Sequence, residues 1–289
     1  MFYFLSLLTG VLVTIMVAVN GRLTGFYGLY SATVMIHIVG LILISLVVLF
    51  KRENPFAKRY SWFLYLGGAI GVVTTVSNNL AFGRISVSAL LALGLLGQSI
   101  SGIIIDQYGL FGMPKHLFTR RKLIGLTLII AGIVSMITDF EPVAVTVSFI
   151  SGISIVASRT VNAKLADVTS VRISSFFNYV VGLAVAAIVF LILGRGEIVR
   201  EEFVFAPYWY IYLGGALGLA AVWILNVVTV KISAFYLTLL LFIGQVFSGV
   251  IIDIFLSGEI SSRNLIGGVL VAVGLSINLL LERKEKEVQ

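Results

Sequence analysis

The sequence predicts an all-α integral membrane protein: ten transmembrane helices in two inverted five-helix repeats. Three observations predict it. The chain has 289 residues, of which 59% are hydrophobic and only 11% charged, with mean hydropathy +1.10. A soluble domain of that size could not keep so much apolar surface from water, so the bilayer is the solvent. Apolar runs of membrane-spanning length alternate with short loops that hold the polar residues. One polar stripe is used twice, GQSISGIIID at 97–106 and GQVFSGVIID at 244–253.

Taken in order, the first five apolar runs are 2–19, 31–50, 61–82, 86–105 and 122–138. The second five are 143–161, 172–193, 208–229, 232–252 and 264–281. The first run has no basic n-region and is long for a signal peptide, so it reads as a retained span. Trp62 and Trp209 stand at the starts of their runs and read as interface anchors. The loops 51–55, 109–121, 139–142 and 194–207 carry the breakers and charges, and 282–289 is a charged tail expected to be mobile. No stretch is long enough for a separate soluble domain.

The two sets repeat. Asn20 and Arg22 match Asn162 and Lys164, and His37 and Gly40 match Tyr179 and Gly182. Leu66-Gly67-Gly68-Ala69 matches Leu213-Gly214-Gly215-Ala216, and Asn79 and Arg84 match Asn226 and Lys231. Leu123-Ile124-Gly125 and Gly132 match Leu265-Ile266-Gly267 and Gly274. The expected boundaries are therefore 1–140 for the first repeat and 141–289 for the second, which includes the short charged tail. Five spans per repeat is an odd number, so the second repeat enters the membrane from the opposite face. The basic residues agree. With the N-terminus on one side, 15 of the 20 Lys and Arg fall on that side and 5 on the other. The excess of positive charge places both termini in the cytoplasm, and the compartment expected is a prokaryotic inner membrane.

The same bases explain the net charge of +7 as an orientation signal rather than a nucleic-acid surface. There is no cysteine, and two histidines in the chain argue against a histidine metal centre. No phosphate loop or nucleophile elbow is present. The chain is expected not to be an enzyme, with no catalytic residue, metal or cofactor.

Ten helices in two inverted halves resemble the drug/metabolite transporter superfamily. Asn20-Gly21-Arg22-Leu23, the Gly67-Gly68 helix, Gly97-Gln98 through Asp106 and Tyr108-Gly109-Leu110-Phe111-Gly112 resemble its YdcZ-like branch, a family largely of unknown function. Many members of that branch are single five-helix proteins working as oppositely oriented partners, and this chain resembles such a pair fused. In the second half the turn is replaced by residues 254–259. The resemblance implies export or exchange of small polar metabolites, amino acids, drugs or sugar phosphates. The small multidrug exporters of the superfamily carry a glutamate inside their first helix. Residues 1–19 have none, which weighs against proton-coupled export of hydrophobic cations.

The function expected is secondary transport of a small polar or amphipathic metabolite by alternating access. Gln98, Gly102 and Asp106 share one helix face, as do Gln245, Gly249 and Asp253. Each glutamine lies about 12 Å of helix from its Asp, deep enough that its amide needs a partner or a wet cavity. Gln98 and Gln245 therefore lead the candidate substrate contacts, with a neighbouring helix as the other use of such amides. Asp106 and Asp253 are either coupling groups for a proton or cation, or helix-end residues at the interface. His37 and Tyr179, the paired asparagines Asn20, Asn162, Asn79 and Asn226, and the deep Trp223 complete the candidates. For the asparagines the other reading is helix capping. Partners expected are the small-molecule substrate and lipid, with no nucleic acid; a homo-oligomer stays open. Two other functions stay open as well, a non-transport scaffold or assembly subunit and a translocase of lipid-linked substrates.

Overall fold

The computed structural model describes residues 1–110, 122–137, 141–197, 205–229, 231, 234–258 and 261–288. Among them all extended regular structure is helical. The ten α-helices are α1 (Phe2–Tyr27), α2 (Leu29–Phe50), α3 (Leu66–Ala81), α4 (Val87–Tyr108), α5 (Lys122–Met136), α6 (Pro142–Val168), α7 (Val171–Leu193), α8 (Gly214–Thr229), α9 (Ala234–Ser257) and α10 (Ser262–Val288). Single 3-10 turns at Trp62–Tyr65 and Trp209–Leu213 lead into α3 and α8. Trp62 and Trp209 are about three-quarters exposed there, as anchors would be. Among the described residues, six helices are long and apolar enough to cross a membrane: α1, α2, α4, α6, α7 and α9.

The helices exceed their apolar runs where polar residues are themselves good helix formers. Helix α10 continues to Val288, so the charged tail expected to be mobile is helical almost to its end. Glu, Lys and Arg have high helix propensity, so charge by itself does not stop a helix. Ser86 and Ser170 cap α4 and α7, each hydroxyl accepting the N–H three residues on. Only Gly28 separates α1 from α2. Its φ is +95°, and a Cβ there would lie 2.7 Å from Glu197 Cγ.

Two compact units emerge, each drawing on both halves of the sequence. The first comprises Met1–Ile15, Ala81–Ile153 and Trp223–Gln289. Its core joins Ala92 and Leu93 of α4, Ile133 and Met136 of α5, Phe242 and Val246 of α9, and Val271 of α10. Helices α5 and α10 run antiparallel through glycines, with Gly125 against Gly274 and Gly132 against Gly267. Helix α4 packs on α9, its counterpart in the other half.

The second unit comprises Met16–Leu80 and Ser154–Val222. Here α2 packs on α7, again its counterpart. Ile38, Ile42, Leu46 and Leu49 form an exposed apolar stripe on α2, the surface expected to meet lipid. Each partner's following loop supplies a glutamate to the start of the other. Glu197 accepts the N–H groups of Tyr30 (3.1 Å) and Ser31 (2.8 Å) and the Ser31 hydroxyl (2.9 Å). Glu53 accepts from Ser170 Oγ at 2.9 Å and Arg172 Nε at 2.6 Å, and Arg172 Nη2 also donates to it. Negative charge at a helix N-terminus is favourable, so these contacts tie the pair at both ends.

The Arg172 guanidinium holds the Glu53 carboxyl below the usual glutamate range, against burial that pushes it up. A lowered folded pKa means that this stabilisation is fully present above the unfolded value of about 4.3. It is lost as pH falls through the lower, folded value. Acid-unfolding curves of Glu53→Gln should therefore be flatter than wild type below about pH 4.3, with the variant already less stable at neutral pH.

Candidate functional site

The second unit encloses a cavity of about 120 Å³. That is smaller than the roughly 300–1,000 Å³ of pockets for drug-sized ligands, so its scale is that of a small metabolite. Helix α3 contributes more of its wall than any other helix, through Gly71, Thr74, Thr75, Asn78 and Asn79, the i, i+3, i+4, i+7, i+8 spacing of one helix face. Met16, Val17 and Asn20 come from α1, Ile36 and His37 from α2, Asn178 and Tyr179 from α7, and Gly214 and Gly218 from α8.

Helix α3 can lie this close because of its glycines. A Cβ on Gly67 would collide with Asn162 Oδ1, and one on Gly68 with the Asn178 carbonyl oxygen. The counterparts repeat this, with Gly214 against Asn20 Oδ1 and Gly215 against the Ile36 carbonyl oxygen. His37 and Tyr179 exchange places across the α2–α7 contact. The Tyr179 ring fills the space over Gly40, and the His37 ring fills that over Gly182, with ring centroids 6.2 Å apart. His37 is buried, and its Nδ1 lies 2.8 Å from the Thr33 carbonyl oxygen. A carbonyl can only accept, so Nδ1 carries a proton. The Tyr179 hydroxyl donates to the Gly215 carbonyl at 3.3 Å.

Of the candidates read from sequence, Asn20, His37, Asn79 and Tyr179 meet around this cavity. Asn20 and Asn162 lie inside α1 and α6 rather than at their ends, so neither caps a helix. Asn162 Nδ2 donates to Asn178 Oδ1 (2.8 Å) and Ser158 Oγ (3.3 Å), which ties it to the wall. Two atoms in the wall have no hydrogen-bond partner although fully buried, Asn20 Oδ1 and Asn79 Nδ2. Such groups are costly in an apolar surrounding and mark a place where a ligand can bond.

Gln98 and Gln245 belong to the first unit and do not line this cavity. Their backbone N–H groups sit where α4 and α9 cross glycines. Gln98 N is 2.9 Å from the Cβ position of Gly152, and Gln245 N is 2.9 Å from that of Gly10. Thr14 Oγ1 donates to the Gln245 carbonyl at 3.0 Å. Asp253 is surrounded by donors: Val87 N (2.6 Å), Ser88 N (3.0 Å), Ser88 Oγ (2.6 Å) and Asn264 Nδ2 (3.3 Å). Trp223 also lies in the first unit, its indole N–H buried without a partner. The side chains of Asp106 and Asn226 lie outside the described residues.

Sequence reading missed Thr74, Thr75, Asn78 and Asn178. The signal was available: residues 74–79 read TTVSNN inside an otherwise apolar run. The counterpart reads AVWILN at 221–226, so a search for duplicated polar residues passes over it.

The profile of the family described as "Putative inner membrane exporter, YdcZ" matches this chain twice, over residues 1–135 and 143–277. The chain belongs to the YdcZ family. It is thus an inner-membrane protein of an exporter family, carrying two copies of the family unit in one chain. No curated protein matches the chain. A solved chain described only as "Crystal structure of protein" superposes with TM-score 0.64 at 14% identity, covering 96% of this chain and 98% of that one. This likeness is of fold alone. For a YdcZ-family chain, the polar cavity inside apolar helices is the feature that needs a functional account.

Proposed function

We propose that this chain is a secondary exporter that moves a small polar or amphipathic metabolite by alternating access, with the Asn20–His37–Asn79–Tyr179 cavity as its substrate site. The observation that carries the reading is the cavity wall. Buried amides, hydroxyls and a histidine converge inside helices of an inner-membrane exporter family, where polar groups are costly unless they serve a solute. A scaffold or assembly subunit would gain nothing from a buried donor and acceptor left unbonded. Ten spans in two inverted repeats, with boundaries at 1–140 and 141–289 and both termini cytoplasmic, are part of the proposal. Each glycine contact around the cavity has a counterpart with the halves exchanged, which supports a pseudo-two-fold relation. Gln98 and Gln245 enter the proposal as contacts outside this cavity.

The absence of cysteine makes single-cysteine labelling direct. A membrane-impermeant thiol reagent should modify Thr75→Cys through a water-filled path and block transport. It should reach Glu141→Cys and Gln289→Cys from opposite faces of the membrane. An inert Thr75→Cys in folded protein would remove the cavity from the transport path, and labelling of 141 and 289 from one face would remove the inverted topology.

A further inference from the structure

We infer that the cavity selects an uncharged solute bearing hydroxyl or amide groups, and that Asn20 and Asn79, rather than the repeated partner Asn162, bind it. This rests on the substrate-site reading above and adds the chemical class. The first argument is charge. None of the lining residues is a carboxylate, lysine or arginine, and the one imidazole, His37, donates its Nδ1–H to the Thr33 carbonyl. An ion entering a site within the bilayer without a counter-charge meets a desolvation penalty that neutral dipoles offset poorly. A neutral solute meets none of it.

The second argument is the asymmetry of the two repeats. Asn162 is held by Ser158 and Asn178. At the equivalent places beside Asn20 stand Met16 and Ile36, which offer no side-chain hydrogen bond. Duplication gave both halves the asparagine; Ser158 and Asn178 take up the Asn162 Nδ2, and no side chain at the equivalent places takes up that of Asn20. Asn20 is 6% exposed and Asn79 4% exposed, and each has a buried atom without a partner, Asn20 Oδ1 and Asn79 Nδ2. One is an acceptor and the other a donor. The complement is a solute that both donates and accepts, as an alcohol or a primary amide does.

The test uses full-length protein in nanodiscs, with binding read from the concentration dependence of the melting temperature. The neutral probes are glycerol, erythritol, ribose and nicotinamide; the charged ones are arginine, choline and citrate. At least one neutral probe should raise the melting temperature saturably, and the charged ones should not. Asn20→Leu and Asn79→Leu should each weaken that binding by roughly three- to tenfold, the worth of one hydrogen bond. Asn162→Leu should lower the melting temperature without ligand and leave the ligand dependence unchanged. If Asn20→Leu fails to fold, Asn79→Leu and Asn20→Ser carry the same comparison. A charged probe that stabilises in an Asn20-dependent manner overturns the solute class while the site stands. A panel in which no neutral probe stabilises also overturns the class, and labelling of Thr75→Cys then decides the site separately. Neutral binding that survives both Leu variants overturns the assignment to Asn20 and Asn79.

Discussion

Gly97→Val and Gly244→Val should yield almost no folded protein, whereas Gly102→Ala should fold like wild type. All three glycines belong to the repeated polar stripes, yet their surroundings differ. A Cβ on Gly97 would run into the Phe149 carbonyl oxygen and come within 3.1 Å of Gly152 Cα. On Gly244 it would run into the Leu7 carbonyl oxygen and come within 3.0 Å of Gly10 Cα. These are crossings of α4 on α6 and of α9 on α1, each joining one half of the sequence to the other with the halves exchanged. The obstacle is backbone on both sides, so no side chain can rotate away; whole helices must separate. Overpacking in a core commonly costs about 1–3 kcal/mol, and a valine lodged between two backbones belongs at or above the top of that range. Close approach through small residues is also a main source of helix association in lipid, where the hydrophobic effect contributes little. Around Gly102 nothing among the described residues outside its own helix turn lies within 4 Å of the Cβ position. Size-exclusion profiles of fluorescently tagged variants extracted from membranes would check this. A monodisperse Gly97→Val peak at wild-type yield would refute the crossing.

Asp253→Ala should destabilise the first unit by at least about 2 kcal/mol, and Asp253→Asn by less. The carboxylate receives the first N–H groups of α4 from Val87 and Ser88, the Ser88 hydroxyl and the Asn264 amide. Hydrogen bonds to a charged group are worth about 1.5–3 kcal/mol each, and the N-terminal N–H groups of a helix have no partner within it. Alanine leaves all four donors without this acceptor; asparagine retains one oxygen. The expected result is a lower SDS concentration at the unfolding midpoint, in the order wild type, Asp253→Asn, Asp253→Ala. This also separates the two readings of the acid. A coupling group would leave Asp253→Asn as stable as wild type and abolish uphill transport only.

The sequence by itself determined the solvent, the helices and the duplication. Hydropathy dictates that the chain lies in lipid, since no fold can bury so many apolar side chains within itself. Helices follow, because in lipid the backbone must satisfy its own hydrogen bonds, and motifs such as Gly67-Gly68 and Gly214-Gly215 advertise where they cross closely. What the polar residues do was decided only by packing. Gln98 and Gln245 are duplicated, yet neither lines the cavity; their neighbouring glycines Gly97 and Gly244 make helix crossings instead. Asp253 read either as a coupling group or as a helix-end acid, and the donors around it come from residues 87 and 88, far from it in sequence, and from Asn264 on the next helix. Asn20 and Asn162 are identical by repeat, and their neighbours distinguish them: Asn162 Nδ2 donates to Ser158 and Asn178, while Met16 and Ile36 stand at the equivalent places beside Asn20 and accept no side-chain hydrogen bond. Repetition records ancestry. Which amide stays free depends on side chains brought together from α1, α2, α3, α7 and α8, and that meeting is a property of the tertiary structure.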